Sequence, residues 1–514
     1  MSHLHRRDFL RASLCAAAGS GAFASLWPKL ALAAAPMARL KGAGSDYRAL
    51  VCVNLVGGND SFSSLVPVNG SHRTAYEASR RGSGTGSHNG QTNPSDLRIA
   101  SNQLLGLAGI GQDDSDFGLH PQMSGLRDLI NSGRAAIVAN VGPLVRPVNL
   151  QDVRDELQPL PAQLFSHSDQ SVLWQTPRAD TGQRIGWGGR LADLFHESNA
   201  NPLLSMNMSI SGENVFQAGQ TVLPFFLNEQ GAETIDHIDT GNGRHWNQRR
   251  RDSFTAIMEA SYGHPFERAY ASRVRTARAA GDELAAALRQ DRTVDGEGVE
   301  TGYADDAYAP FWQAFGLAWQ RLDAGRAELP GLAAQLLMVA RVMRQRATLQ
   351  MSRQLFFTQL GDFDTHDSQN AELPELLHEL SQSLLAFDQV MRSPAFGLDQ
   401  HVTTFTSSEF GRTLSNNGDG TDHGWGGHHF VVGGSVEGGR VFGQLPPLGL
   451  DGNPLNVGQG RLLPTLAVDQ YAATFARWFG LDDTLRNTVF PNLAHMTGSK
   501  LAISGPDLGF LRAV

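Results

Sequence analysis

The chain has 514 residues, a formal net charge of −9, 41% hydrophobic and 18% charged residues. That length allows a large core, in one big domain with an insertion or in two domains. The acidic balance, with no basic stripe, excludes nucleic acid as the default partner, and Arg249, Arg250 and Arg251 read as a solvated helix face.

The amino terminus, MSHLHRRDFLRASLCAAAGSGAFASLWPKLALAAAPMA, carries the pair Arg6 and Arg7, a mildly apolar run and small-residue cleavage sites near Ala33 and Ala35. This pattern predicts a twin-arginine export signal over residues 1–35, a linker over 36–47 and a main domain over 48–514. The expected location is periplasmic or secreted, reached by a chain that folds before export. The run contains Gly, Ser and Pro and falls short of the ~20 apolar residues of a membrane span, so no span is expected in the mature form. After cleavage Cys52 is the one remaining thiol, which leaves no intramolecular disulfide.

RALVCVNLVGGNDSFSSLVPV predicts a buried strand from Ala49 to Val56 that ends in a glycine turn, because a short β-branched apolar run suits a central parallel strand. Residues 70–97 read as a polar surface loop. A helix from about Pro121 to Ser132, a turn at Gly133 and a second strand from Ala135 to Asn140 give a βα alternation. Residues 246–292 are helical and charged, and 328–349 form a strong amphipathic helix. The strand signal pauses there, so about 246–350 reads as a helical insertion. A strand from Gln354 to Leu360 follows, then a helix in LPELLHELSQSLLAFDQVM, a strand in HVTTFTSSEFGRT and a closing helix in QYAATFARWFGL.

Three of these strands end in polar clusters: Asn59 and Asp60, Asp364 and His366, Ser408 and Glu409. In parallel α/β sheets ligands bind outside the carboxyl ends of the strands, so residues distant in sequence are expected to converge on one edge. Asp60 is either an Asx-turn residue or a ligand. Asp364 and His366 share a face if strand geometry continues through them. Glu409 and Arg412 either pair with each other or serve a cation and an anion. Asp422 and His423, in the glycine-rich GTDHGWGGHH, are ligand types for borderline and hard cations; of the two histidines that follow, His428 is the expected ligand rather than His429. Ser166, beside His167, is either a helix N-cap or a nucleophile.

The segments LVCVNLVGGNDSFSSLVP, FSHSDQSVLWQ, GWGGRLAD, GDFDTHDSQ, SSEFGRT, NGDGTDHGWGGHHFVVGG and DQYAATFARWFG, in this order, closely resemble the domain-of-unknown-function family 1501, a set of exported bacterial proteins. That family is similar, at a distance, to the alkaline phosphatase and arylsulfatase superfamily. The resemblance implies a doubly wound three-layer α/β/α sandwich, alkaline phosphatase-like, with metals at the carboxyl edge. It implies metal ligation by Asp60, Asp364, His366 and either Glu409 or Asp422 with His423, and a nucleophile at Ser166, with Ser61 as a second candidate. The expected function is an exported metal-dependent hydrolase of phosphate or sulfate esters, small or polymeric. Arg412 would clamp a non-bridging oxygen, and one or two divalent ions would act as Lewis acids. Zinc is favoured by the histidines, with calcium or magnesium expected if the histidines stand behind the ion. The alternative is a non-catalytic exported binding or assembly protein on the same scaffold, working with an exported protein partner.

Overall fold

The structure is a computed structural model that describes residues 47–82, 85–88, 91–176, 178–180, 184–232, 245–294, 300–321 and 328–512. The expected export signal and all but the last residue of the linker lie outside the described residues.

A ten-stranded sheet forms the centre. In chain order its strands are Arg48–Leu55 (β1), Ala135–Gly142 (β2), Asn207–Ser209 (β3), Phe225–Asn228 (β4), Gly231–Ala232 (β5), Arg353–Leu360 (β6), Val402–Ser408 (β7), Gly427–Val432 (β8), Val441–Phe442 (β9) and Leu466–Ala467 (β10). The spatial order is β5-β4-β3-β6-β1-β7-β8-β2-β9, with β10 also paired to β2. β1 runs parallel to β6 and β7 on either side, with Val53 opposite Thr358 and Thr406. Only β8 and the short β5 run against the rest.

Residue alternation in β1 explains the layers. Ala49, Val51, Val53 and Leu55 enter one apolar core, while Leu50 and Cys52 enter a second core across the sheet. The first core is filled from Ser124–Asn131 (α3), Gly331–Arg344 (α8) and Gln369–Arg392 (α9), the second from Trp187–Phe195 (α5) and Val468–Phe479 (α10). A strand buried on both faces has no polar alternation, which is why β1 and β2 read as continuous apolar runs. Cys52 is buried, and burial pushes its thiol up to about 12, so it is a packing residue rather than a nucleophile.

The stretch expected to be an insertion divides. His245–Glu259 (α6) and Pro265–Leu288 (α7) present largely exposed faces, including Arg249 and Arg250, whereas α8 is buried along nearly its whole length in the main core. Residues 70–97 are not simply a loop. Ser61–Ser64 (α1) is followed by a helix over Gly70–Arg80 (α2), and Thr85–His88 pairs with Gln91–Pro94. The buried residues of α2 include His72, Tyr76 and Arg80, spaced four apart. Its inward stripe is therefore mostly polar or aromatic, and a hydrophobicity pattern passes over it.

The topology places the functional edge. β1, β6, β7 and β2 all point the same way, so Leu55, Leu360, Ser408 and Gly142 end on one rim. β8 runs backwards and begins there, so the loop of residues 411–426 is stretched along that rim.

Asp469, in the first turn of α10, is buried with its Oδ1 unpartnered. Burial pushes this carboxyl up to about 7; its own backbone N–H opposes the rise, Asp180 adds to it and Arg178 opposes it. The folded chain therefore keeps a proton that the unfolded chain releases, so stability falls as pH rises from about 4 to about 7 and stays lower above that. Asp469→Asn should raise the unfolding free energy at pH 8, read from denaturant titration, by a few kcal/mol at most, at about 1.4 kcal/mol per unit of perturbation. The gain should vanish near pH 4; an equal gain at both pH values would refute the protonation argument.

Candidate metal centre

Asp364 stands at the middle of the rim, in the loop after β6. Its Oδ1 accepts a 2.5 Å hydrogen bond from Arg412 Nη1. Arg412 is fully buried, and the same nitrogen reaches the Gly57 carbonyl at 3.1 Å. Arg412 Nε donates to Thr421 Oγ1 at 3.3 Å, and Nη2 bonds the Thr421 carbonyl. Burial would raise the Asp364 carboxyl, but the Arg412 hydrogen bond and charge outweigh it and hold the group ionised below its ordinary range.

Three imidazoles turn their Nε2 atoms toward this carboxylate. His366 and His423 lie 3.1 and 3.2 Å from Oδ1, and His167 lies 3.3 Å from Oδ2. The Nε2 atoms of His366 and His423 are 2.8 Å apart. Each ring has an acceptor behind it. His167 Nδ1 meets Glu409 Oε2 at 2.5 Å, His366 Nδ1 meets Asp422 Oδ1 at 3.2 Å, and His423 Nδ1 meets the Phe165 carbonyl at 2.8 Å. A carboxylate or carbonyl can only accept, so each Nδ1 is the donor, and it is the Nε2 of each ring that faces the centre, as a lone pair in the neutral form. Burial leads the causes that lower the His423 pKa below the ordinary histidine range, so that ring is neutral at pH 7.

Lone pairs converging on a carboxylate repel unless a cation or a proton lies among them. The donor set fits a divalent ion. Donors placed tetrahedrally at ~2.0–2.1 Å from zinc lie about 3.3 Å from one another; His366, His423 and Asp364 Oδ1 lie 2.8–3.2 Å apart, and His167 approaches the other oxygen, Oδ2, at 3.3 Å. His167, Asp364 and His423 each offer a ligand atom within 4.8 Å of the others. The acceptor behind each ring is the arrangement that fixes ligating histidines elsewhere. The cluster is open on one side: the Asp364, His366 and His167 side chains are 42%, 40% and 37% exposed.

Local backbone explains the geometry. Gly57 has φ +112°, and a Cβ there would come within 2.4 Å of the Asp364 nitrogen. A Cβ on Gly420 would come within 2.4 Å of the His366 carbonyl carbon and oxygen. The glycines around Asp422 thus let two loops touch backbone to backbone. Phe165 adopts φ +73°, a conformation a bulky side chain rarely takes, and its carbonyl is the one that holds His423.

Among the expected ligands, the structure brings together Asp364, His366 and His423, although through a turn rather than a continued strand: His366 N–H donates to the Asp364 carbonyl at 2.8 Å. Glu409 and Asp422 are present but stand behind histidines. Two expected ligands are elsewhere. Asp60 is fully buried and accepts from Arg80 Nη1 and Nη2 at 2.7 and 2.6 Å, Ser63 Oγ at 2.6 Å, Gln369 Nε2 at 2.7 Å and the Phe62 N–H at 3.1 Å. Burial would raise its pKa, but Arg80 and these bonds lower it. A carboxylate so fully occupied caps α1 and binds a guanidinium. His428 is also buried; its Nδ1 accepts the Asn140 N–H at 3.0 Å, and burial lowers its pKa to about 4.

Arg412 uses its donors on the protein and is a brace for Asp364, not an exposed clamp. Ser166 caps Gly-free α4 (His167–Gln175) in position only: its hydroxyl donates to Asp169 at 2.7 Å, and no imidazole contacts it. Ser61 is buried and its Oγ accepts the His428 N–H at 2.7 Å. Two residues escaped the sequence reading. His167 was visible only as the neighbour of Ser166, and its signal was its own place at the first turn of a helix after a loop. Arg461 donates to the His423 carbonyl at 3.0 Å and lies over the Phe165 ring at 4.6 Å.

The family model for "protein of unknown function (DUF1501)" matches residues 47–489. The chain belongs to this family. Every residue of the DUF1501 cluster described here falls inside the match. No curated protein matches this DUF1501 chain. A solved structure from Bacteroides thetaiotaomicron, from work on the metabolism of multiple glycosaminoglycans, is similar at 10% identity and a TM-score of 0.29, covering 86% of this chain and 74% of that one. At that level of likeness it says nothing of chemistry.

Removing Arg80 separates the two explanations of Asp60. Arg80→Met leaves a buried carboxylate unpaired and should cost about 3–5 kcal/mol of stability, with part restored by Asp60→Asn in the same chain and metal content per folded chain unchanged. Uptake of an extra ion by Arg80→Met would make Asp60 a ligand after all.

Proposed function

We propose that this protein is a metal-dependent hydrolase of phosphate or sulfate esters with a single-ion centre held by His167, Asp364, His366 and His423. The observation that carries the reading is the convergence of three Nε2 atoms on Asp364 with an acceptor behind every ring. Imidazole-rich ligation favours zinc over calcium or magnesium. The chemistry such an ion supplies is Lewis-acid polarisation of an ester oxygen and acidification of water.

The chain's own residues do the rest. Glu409, Asp422 and the Phe165 carbonyl fix the tautomers and planes of the three rings. Arg412 fixes the Asp364 carboxylate and offsets its charge. Arg461, half-buried at the rim and with no carboxylate partner among the described residues, is placed to bind an anionic group of a substrate beside His423. Neither Ser166 nor Ser61 contacts an imidazole base, so water is the better nucleophile candidate. The exposure of Asp364, His366 and His167 suits an open ligand position rather than a closed structural site. We also propose export by the twin-arginine route and an alkaline phosphatase-like sandwich as the finer fold description.

The lack of an activated serine also suits the second reading, an exported binding or assembly protein with an exported partner. Turnover separates the two. Metal analysis of the purified mature protein should find one ion per chain. His167→Ala and His423→Ala should lose it, and Glu409→Gln should weaken its binding by roughly 10–100-fold. Wild-type protein carrying no ion after exposure to zinc would end the hydrolase reading; a loaded protein inert toward chromogenic phosphate and sulfate esters would favour the binding role.

Arg461→Gln should leave metal content intact and raise KM for an anionic ester by about tenfold, the worth of one charge-assisted contact, with a smaller change in kcat. An unchanged KM would remove Arg461 from substrate binding.

A further inference from the structure

A second polar cleft opens beyond the carboxyl end of β2, apart from the His/Asp cluster. Its volume is about 500 Å³, and its lining includes Arg146, Gln158, His495, Thr497, Ser499 and Lys500. Arg146 follows the end of β2 by four residues. β2 lies two strands from β7, which carries Glu409 at its end, so with strands about 4.8 Å apart the two features share one rim at a spacing of roughly 10 Å at the sheet.

The cationic groups of this cleft are unevenly compensated. Lys500 Nζ pairs with Asp152 Oδ2 at 2.5 Å, and the same oxygen accepts the Asn149 N–H at 2.8 Å in a capping box. Lys500 is thereby anchored on the wall, although its residue is exposed. Arg146 is different. Its partner is a neutral one, Gln158 Oε1 at 2.9 Å from Nη1, and its Nε is buried with no acceptor. Among the described residues no carboxylate lies within ion-pair distance of it. Three buried arginines have such partners, Arg80 with Asp60, Arg341 with Asp291 and Arg412 with Asp364, whereas Arg146 stands half-buried at the cleft without one. A guanidinium with a dry, unsatisfied N–H is costly unless an acceptor reaches it. The acceptor that suits a planar fork beside an ammonium and two hydroxyls is an oxyanion.

We infer that the cleft between Arg146 and Lys500 is a binding site for a sulfate or phosphate group, separate from the metal cluster. The guanidinium supplies paired N–H donors, and Lys500 supplies a point charge. The Thr497 and Ser499 hydroxyls complete the lining. The occupant is either the free inorganic ion or a further anionic group on a larger ester that also reaches the other rim site. The inference stands whether or not the centre at Asp364 hydrolyses anything.

Calorimetric titration of the full mature protein with inorganic sulfate and with inorganic phosphate tests it. Millimolar or tighter binding is expected at a site that persists in His423→Ala, whatever binds at the metal cluster, and that is weakened about tenfold or more in Arg146→Gln. Lys500→Gln, at an exposed position, should weaken binding in the same direction and guards against a folding defect in the Arg146 variant. Mono- and disulfated forms of one disaccharide identify the source. Tighter binding of the disulfated form, lost in Arg146→Gln, assigns the cleft to a second group of a substrate; equal affinities with the Arg146 effect retained assign it to the free ion. Absence of binding by either inorganic ion, or loss in His423→Ala with Arg146→Gln unaffected, would overturn the inference.

Discussion

One buried guanidinium holds the rim of this sheet together. Arg412 bonds the Gly57 carbonyl at the end of β1, the Asp364 carboxylate after β6 and Thr421 in the loop that leads to β8. Those three segments lie from some fifty to more than three hundred residues apart along the chain, and they carry or flank the groups of the histidine–carboxylate cluster. A planar donor fork with fixed geometry can span three acceptors in a way that an ammonium cannot. Without it Asp364 would be a partly buried carboxylate facing three imidazoles, and the loops around Gly57 and Gly420 would lose the contact that justifies their close approach.

Behind that brace runs a second layer of polar contacts. Thr421 Oγ1 donates to Gln369 Oε1 at 2.8 Å, Thr365 Oγ1 approaches the same oxygen at 3.1 Å, and Gln369 Nε2 donates to Asp60 at 2.7 Å. The two ion pairs, Asp60 with Arg80 and Asp364 with Arg412, are thus joined through one glutamine. Each side chain in it is bonded to the next, with only the Arg80 Nε left without an acceptor, and a polar network so nearly satisfied rigidifies a site. The linkage also explains why Asp60 sits at a strand end without reaching the cluster. Its charge is balanced inside the network by Arg80, so the rim gathers its three imidazoles around Asp364 alone.

Much of this was legible in the sequence, for a physical reason. Strands buried on both faces produce unbroken apolar runs, and strand ends at a functional edge produce polar clusters, so β1, β2, β6 and β7 and the residues Asp364, His366, Glu409, Asp422 and His423 all declared themselves. The division of labour among them did not. Whether a carboxylate faces a cation or the back of an imidazole depends on contacts between loops hundreds of residues apart, and Glu409 and Asp422 fall on the imidazole side. His167 was hidden because a histidine at the start of a short helix has no pattern around it. Asp60 misled because the guanidinium that satisfies it comes from α2, a helix whose inward face is His72, Tyr76 and Arg80 and therefore carries little hydrophobic signal.

The distribution of charge on the rim now has a consistent logic. Carboxylates on this edge are either consumed by arginines, as Asp60 and Asp364 are, or turned toward imidazole N–H groups, as Glu409 and Asp422 are. None of these four is left as a bare negative charge facing outward. Arg461 beside His423 and Arg146 beside Lys500, by contrast, lack carboxylate partners among the described residues. A chain with a net charge of −9 thus keeps uncompensated positive groups on the one edge where its open cluster lies. Such an edge attracts anions locally against the repulsion of the whole molecule, because focusing by nearby fixed charges outweighs distant ones screened over about a Debye length of ~8–10 Å. An anionic ester is the kind of molecule that this pattern would collect and orient, and a neutral one would gain nothing from it.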